Sequence, residues 1–484
     1  MNTPRFKPWP VWLLAALAAL PSGAASISRR EAVAVAEHWY AREIRASTTP
    51  LTPAERRNRL AARTQHKVWV VTGRDTLAEE STNRASVTAY VVTFDPSGYV
   101  VVSGEDTMQP VLAFNVTASF VWDSPEKSFL GHYLGRSMVS VAGQQRAANR
   151  LKMDSPPPPH TNWTRLRNDI ASAPAASAPG SGDDAGSADP APRDAGDIYV
   201  MWTTALWGQG DHYNEVVVAH NGGTYVPTGC TATAMAIQMR YFEWPPTGNG
   251  SHSYSDTWDT VKHDHSVNFG AHTYNWSAMP TGVLTVDDTN VANLMYDCGV
   301  ATDMNYETGG SGAWPSASAM NNYFRFRGTI ENSSGTPADH EDALAYSIRS
   351  GLPTIICNVN HTVVACGYRN TVAPYFYVNA GHNNAADSAW YDLDAMGWGD
   401  PSIDRSYPYS CPNNYVYVDN GAGAGENGNL QNPYNTVSEG QTAVPAGGHL
   451  WIKAGNYTGA GNVITLNKAM TVKSYLGNAT IGSP

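Results

Sequence analysis

The 484-residue sequence predicts an α+β protein made of consecutive units. Three observations carry this reading. A helical repeat over 27–45 is followed by strand-like runs, a Pro/Ala/Ser/Asp-rich stretch at 151–197 interrupts the chain, and a longer segment, 198–412, mixes helical repeats with short apolar strands. From 413 onward short strands alternate with Gly, Asn and Pro turns.

In chain order, residues 1–25 place Arg5 and Lys7 before an apolar run, Val11 to Leu20, and then small residues. This is the pattern of a secretory signal peptide, too short to span a bilayer, and it predicts an exported chain. No later segment has the length and apolarity of a membrane span. Residues 26–150 read as a small α+β domain. Ser28 is positioned to cap the first helix, with Glu31 completing a capping box, and Ala32, Val35, Ala36 and Trp39 form its apolar face. Strands are expected at Lys67–Thr72, Val87–Phe94 and Gly98–Ser103, the last two joined through Asp95-Pro96-Ser97-Gly98. The stretch 151–197 has too little apolar surface to offset its ordering entropy and reads as a linker open to proteolytic nicking. Residues 198–412 form the largest domain and 413–484 a short strand-rich module.

A net charge of −11 argues against nucleic acid or an anionic membrane surface as the main partner. The five cysteines, Cys230, Cys298, Cys357, Cys366 and Cys411, are an odd number and include no C-x-x-C pair. They describe neither a disulfide scaffold nor a zinc site. Asp287-Asp288 and His263-Asp264-His265 read as solvated surface, and no metal or cofactor is expected.

One cysteine stands in a chemically pointed place. Cys230 opens a helical stretch whose Ala232, Met235, Ala236, Met239 and Phe242 share one face, between Pro227 and Pro245. At a helix N-terminus the unpaired N–H groups and the dipole favour an anion, so a thiol there ionises more readily. Position alone also fits a buried structural cysteine. A thiolate nucleophile needs a base, and His361 begins an apolar strand followed by a turn and a second strand ending at Asn379. A hairpin centred near residue 370 would make His361 and Asn379 cross-strand neighbours, with the Asn fixing the imidazole tautomer. Upstream, Trp207-Gly208-Gln209 offers a side-chain amide that can donate to an oxyanion.

Taken together, TGCTATAMAIQMRYFEWP, WGQGDHYN, YNWSAMP, VANLMYDCGVATDMNYETGGSGA and HTVVACGY resemble, in order, segments of the streptopain family of cysteine peptidases. The stretch YVVTFDPSGYVVVSGEDTMQPVLAF resembles that family's inhibitory propeptide. The resemblance implies a papain-like catalytic domain behind an α+β propeptide that acts as an intramolecular inhibitor until it is removed. It implies Cys230 as nucleophile, His361 as base, Asn379 as orienting residue and Gln209 in the oxyanion hole. Ser311, Asn360 and Trp207 would line the substrate cleft, and the substrates would be proteins or peptides.

The sequence departs from the family at Asn360-His361-Thr362, where Gly-His-Ala is usual, and at Asn379-Ala380-Gly381-His382, where Asn-Trp-Gly-Trp is usual. The second change removes a Trp that would shield the His–Asn pair. Residues 413–484 resemble the opening coil of a pectate-lyase-like right-handed β-helix, with fewer coils than a stable stack needs, and read as a docking module with a possible polysaccharide or surface contact. The competing functional reading is a catalytically degraded surface-binding or adhesion protein.

Overall fold

The computed structural model describes residues 26–46, 49, 51–72, 76–78, 87–120, 159–172, 198–258, 261–329, 337–357, 361–370, 373–383, 388–393, 405–463 and 465–483. The expected signal peptide, residues 121–158, most of the linker and Asn360 lie outside them. No helix among the described residues is long and apolar enough to cross a membrane.

The N-terminal domain contains α1 (Arg29–Arg45), α2 (Pro53–Ala62), β1 (His66–Thr72), β2 (Thr76–Ala78), β3 (Val87–Phe94), β4 (Tyr99–Ser103) and β5 (Val111–Asn115). The α1 face read from the sequence is buried, from Ala32 to Trp39. Ser28 accepts a hydrogen bond from the Glu31 N–H, but the capping box is only half formed. The Glu31 carboxylate instead accepts from Arg167, 2.8 Å away. β3 and β4 form the expected hairpin, closed by the Phe94 N–H donating to the Gly98 carbonyl. Gly98 has φ +112°, and a Cβ there would stand 2.6 Å from the Tyr40 ring, so the turn requires glycine.

Part of the expected linker is structured. Residues Thr161–Ser172 form α3, which docks Trp163 and Leu166 on the N-terminal domain, with the Trp163 indole N–H donating to the Met108 carbonyl. Two apolar side chains at helical spacing were enough to bury this turn within an otherwise polar stretch.

The central domain comprises β6 (Ile198–Met201), α4 (Glu215–His220), α5 (Cys230–Phe242), β7 (His252–Trp258), β8 (Val261–Val267), α6 (Thr289–Val300), α7 (Ala317–Tyr323), β9 (Phe326–Arg327), α8 (Pro337–Arg349), β10 (Thr354–Cys357), β11 (Thr362–Asn370), β12 (Pro374–Asn379), β13 (Ala389–Tyr391), β14 (Arg405–Tyr407) and β15 (Cys411–Pro412). Its helical half, α4 to α7, packs around α5, whose apolar face is buried along its whole length. Its sheet half runs β14-β10-β11-β12-β13, with β6 also on β11, and continues without a break into β5-β4-β3-β1-β2 of the N-terminal domain. The join is short. Trp390 pairs with Phe114 and Tyr391 with Ala113. Beside it, Arg369 of β11 forms a bidentate pair with Glu43 of α1 at 2.6 and 3.0 Å, both side chains nearly inaccessible to water.

The C-terminal module has β16 (Tyr415–Val418), α9 (Val437–Ala443), β17 (His449–Thr458) and β18 (Thr471–Ser483). Its three strands pair in parallel, Tyr415 with His449 and His449 with Thr471. One face forms a small core of its own. The other places Tyr415, Tyr417, Trp451 and Tyr475 in the main core of the central domain. Phe242, the last residue of α5, meets the Tyr415 ring edge-on at 5.4 Å. The module therefore shares its interior with the domain it follows, which the change of texture at 413 does not reveal.

Candidate active site

The site lies where the start of α5 meets the start of β11. Gly229 caps α5 with φ 90°, a left-handed conformation, and Cys230 follows as the first helical residue. A Cβ on Gly229 would come within 2.6 Å of the Met304 sulfur and 3.1 Å of the Ser311 carbonyl. Only glycine admits both this turn and this packing, and the turn sets the direction of the Cys230 side chain.

Cys230 is half-buried, whereas the other four cysteines are buried. Burial pushes its thiol up, but a hydrogen bond with His361, the charge of that imidazole and contacts from the Thr362 N–H and hydroxyl outweigh it, bringing the thiol down to about 7. Burial instead raises Cys298, brings Cys366 up to about 12 and brings Cys411 up to about 11.

His361 faces the Ala380 carbonyl through Nε2 at 3.0 Å. A carbonyl only accepts, so Nε2 carries the proton and Nδ1 is left to serve the thiol. This differs from the sequence-based expectation. β11 and β12 do form a hairpin, but Asn379 pairs with Val364, three residues beyond His361, and a bulge lies between Ala365 and Gly367. The Asn379 amide donates to Thr204 Oγ1 (2.9 Å) and the Ala205 carbonyl (2.7 Å), while its oxygen accepts from the Gly381 N–H (3.1 Å). Asn379 thus braces the loop that presents the Ala380 carbonyl to His361. The hairpin closes at Asn370–Pro374 and so is centred nearer 372 than 370, and a backbone carbonyl leaves no trace in side-chain identity.

The remaining expected residues fall as follows. Gln209 is half-buried, and its carbonyl accepts from the Thr228 N–H at 2.8 Å, fixing it beside the segment that ends in Cys230. Trp207 is a correction: it is fully buried, its indole N–H donates to the Pro280 carbonyl, and it supports the scaffold instead of facing a cleft. Ser311 is brought next to the nucleophile loop, but its hydroxyl donates to the Pro227 carbonyl at 2.6 Å. Two threonines were missed. The Thr231 hydroxyl donates to the Ala313 carbonyl at 2.6 Å and lies 3.0 Å from the Thr362 hydroxyl, tying the nucleophile helix to the base strand. Their only sequence signal is adjacency to Cys230 and His361. Among the described residues no cluster of His, Cys, Asp or Glu could hold a metal. Asp288 instead caps α6, and His265 is buried against Asp256.

The α+β fold thus sets a thiol brought down to about 7 at a helix start beside an imidazole from a neighbouring sheet. Residues 207–391 match the Peptidase C10 family, and residues 24–133 match the Spi protease inhibitor. Residues 207–391 are thus similar to C10 peptidases, and the segment before them to Spi inhibitors. It is 33% identical over 113 residues to the thiol protease/hemagglutinin PrtT of Porphyromonas gingivalis, covering 22% of this chain and 13% of that protein. It is 26% identical over 193 residues to streptopain of Streptococcus pyogenes, covering 36% of this chain and 47% of that one. The chain therefore spans less than half the length of either relative. A solved fragment of Prevotella intermedia prointerpain A aligns with 69% of this chain and 96% of its own, at 22% identity and TM-score 0.49.

Proposed function

We propose that the chain is the precursor of a secreted cysteine endopeptidase, exported through residues 1–25 and held inactive by its N-terminal domain until cleavage within 151–197. The observation that carries this is the line from the Cys230 thiol through the His361 imidazole to the Ala380 carbonyl. The thiolate attacks a peptide carbonyl and forms an acyl-enzyme. His361 takes the thiol proton, delivers it to the departing amine and then activates water for deacylation. The Cys230 N–H and the Gln209 amide supply oxyanion donors, each worth roughly 3–4 kcal/mol in barrier height in enzymes of this kind. The polysaccharide or surface contact belongs to 413–484 in this reading and is separate from the chemistry.

A degraded, purely adhesive protein would have no need of a thiol lowered to about 7 or of an imidazole fixed in one tautomer. The test is casein cleavage by the purified protein with and without iodoacetamide, alongside the Cys230→Ala chain. Cleavage that stops on alkylation, and a Cys230→Ala precursor that stays full length on its own, support the reading. Unchanged proteolysis or normal self-maturation by Cys230→Ala removes it.

A further inference from the structure

The loop after β12 grips His361 twice. Ala380 supplies the carbonyl that holds Nε2. Two residues on, the His382 ring lies nearly flat on the His361 ring, with centroids 4.8 Å apart and planes at 27°. The carbonyl and the Cys230 thiol hold the imidazole along its edge, an axis about which its plane can still pivot. A ring stacked on its face restrains the pivot.

The loop is itself anchored so that both groups arrive together. Gly381 between them takes φ +69°, its N–H donates to the Asn379 oxygen, and its backbone lies against Thr233 of the nucleophile helix. Asn383, just after His382, donates its N–H to the Trp207 carbonyl at 3.2 Å and accepts from the Tyr213 hydroxyl. A Cβ on Gly208 would stand 2.7 Å from the Asn383 Cβ, so the segment carrying Gln209 presses directly on the loop. The loop that carries His382 is therefore held between the nucleophile helix, the segment of Gln209 and the base.

We propose that His382 is a positioning residue for His361: its stacked ring, together with the Ala380 carbonyl, keeps the imidazole turned toward the Cys230 sulfur. The inference rests on the Cys230–His361 reading above and deepens it. Among the described residues, the titratable groups shown against this loop are His361 and, through Asn383, Tyr213.

The experiment measures the rate of Cys230 alkylation by iodoacetamide against pH in the purified full chain and three variants, with thermal melting as a check on folding. His382→Ala removes the stack, and His361 then shields and pairs with the sulfur less well. The alkylation midpoint should rise by about one pH unit, and the plateau rate should change with it. His382→Phe keeps an aromatic face without the ring nitrogens and should restore the wild-type midpoint. His382→Leu, which fills space without a ring, should behave as His382→Ala does and serves if that variant fails to fold. A His382→Ala or His382→Leu profile that superimposes on wild type, or a His382→Phe profile shifted as far as theirs, overturns the proposal. The measurement needs no peptide cleavage. If the wild-type thiol itself titrates as an ordinary one, the peptidase reading fails; if it titrates low and the variants match it, only the role of His382 falls.

Discussion

Replacing Glu43 by Gln tests how the N-terminal domain is held. The sheet contact between the domains is slight, two residue pairs between β5 and β13, with the Asp392 N–H donating to the Leu112 carbonyl and the Asn115 amide donating to the Ser388 carbonyl. Next to it sits the Glu43–Arg369 pair at 2.6 and 3.0 Å, with 3% and 2% of those residues exposed. The guanidinium also faces the Phe114 and Trp390 rings at 5.3 and 5.6 Å. Burial alone would lower the Arg369 pKa, yet Glu43 outweighs it and raises it. Glu43→Gln is nearly isosteric but leaves a buried cation without its anion, a change that costs roughly 3–5 kcal/mol when one partner of such a pair is removed. That corresponds to about a hundredfold or more in the opening equilibrium of the interface. The assay is native-state hydrogen exchange in a full-length Cys230→Ala background, where self-cleavage is absent. Amides of Val111–Asn115 and Ala389–Tyr391 should exchange about a hundred times faster or more, while the helix Cys230–Phe242 keeps its protection. Exchange in both strands within about threefold of the parent would refute the reasoning, and so would equal loosening of the helix, which would make the pair a general stabiliser instead of a docking contact. In the active chain the same substitution should speed maturation.

Three further outcomes follow from the site and its supports. Wild-type Cys230 alkylation should rise with pH through a midpoint of about 7, whereas His361→Ala should move the midpoint upward because only the Thr362 contacts then oppose burial; mass spectrometry should show Cys366 and Cys411 unmodified in the native protein. Gly229→Ala must place a Cβ 2.6 Å from the Met304 sulfur at φ +90°, and should destabilise by roughly 1–3 kcal/mol while reducing thiol-dependent cleavage about tenfold or more, seen in melting and turnover together. Trp451→Ala should destabilise the central domain, not the module alone, by about 3–5 kcal/mol, detected as earlier loss of α5 protection in denaturant, because its indole packs on Gly351 inside the shared core.

The sequence by itself determined the local pieces and their order. The apolar face of α5, the Asp95–Gly98 hairpin, the strands of the C-terminal module and the placement of Cys230 at a helix start are all consequences of short-range periodicity and turn chemistry. It also singled out His361, through an apolar strand beginning at a histidine. What it left undetermined depends on atoms that side-chain identity does not report or on partners hundreds of residues away. The β11–β12 pairing is centred near residue 372, not 370, which sets Asn379 opposite Val364 and leaves a main-chain oxygen, that of Ala380, against His361. Trp207 proved to be scaffold because its neighbour across the fold is Pro280. The sheet shared by two domains, the Glu43–Arg369 pair 326 positions apart and the aromatic side chains that the last module lends to the central core exist only once the chain is folded. Periodicity fixes which face of an element seeks burial; which other face it meets is decided by packing, where long-range contacts must outweigh the entropy of bringing distant segments together.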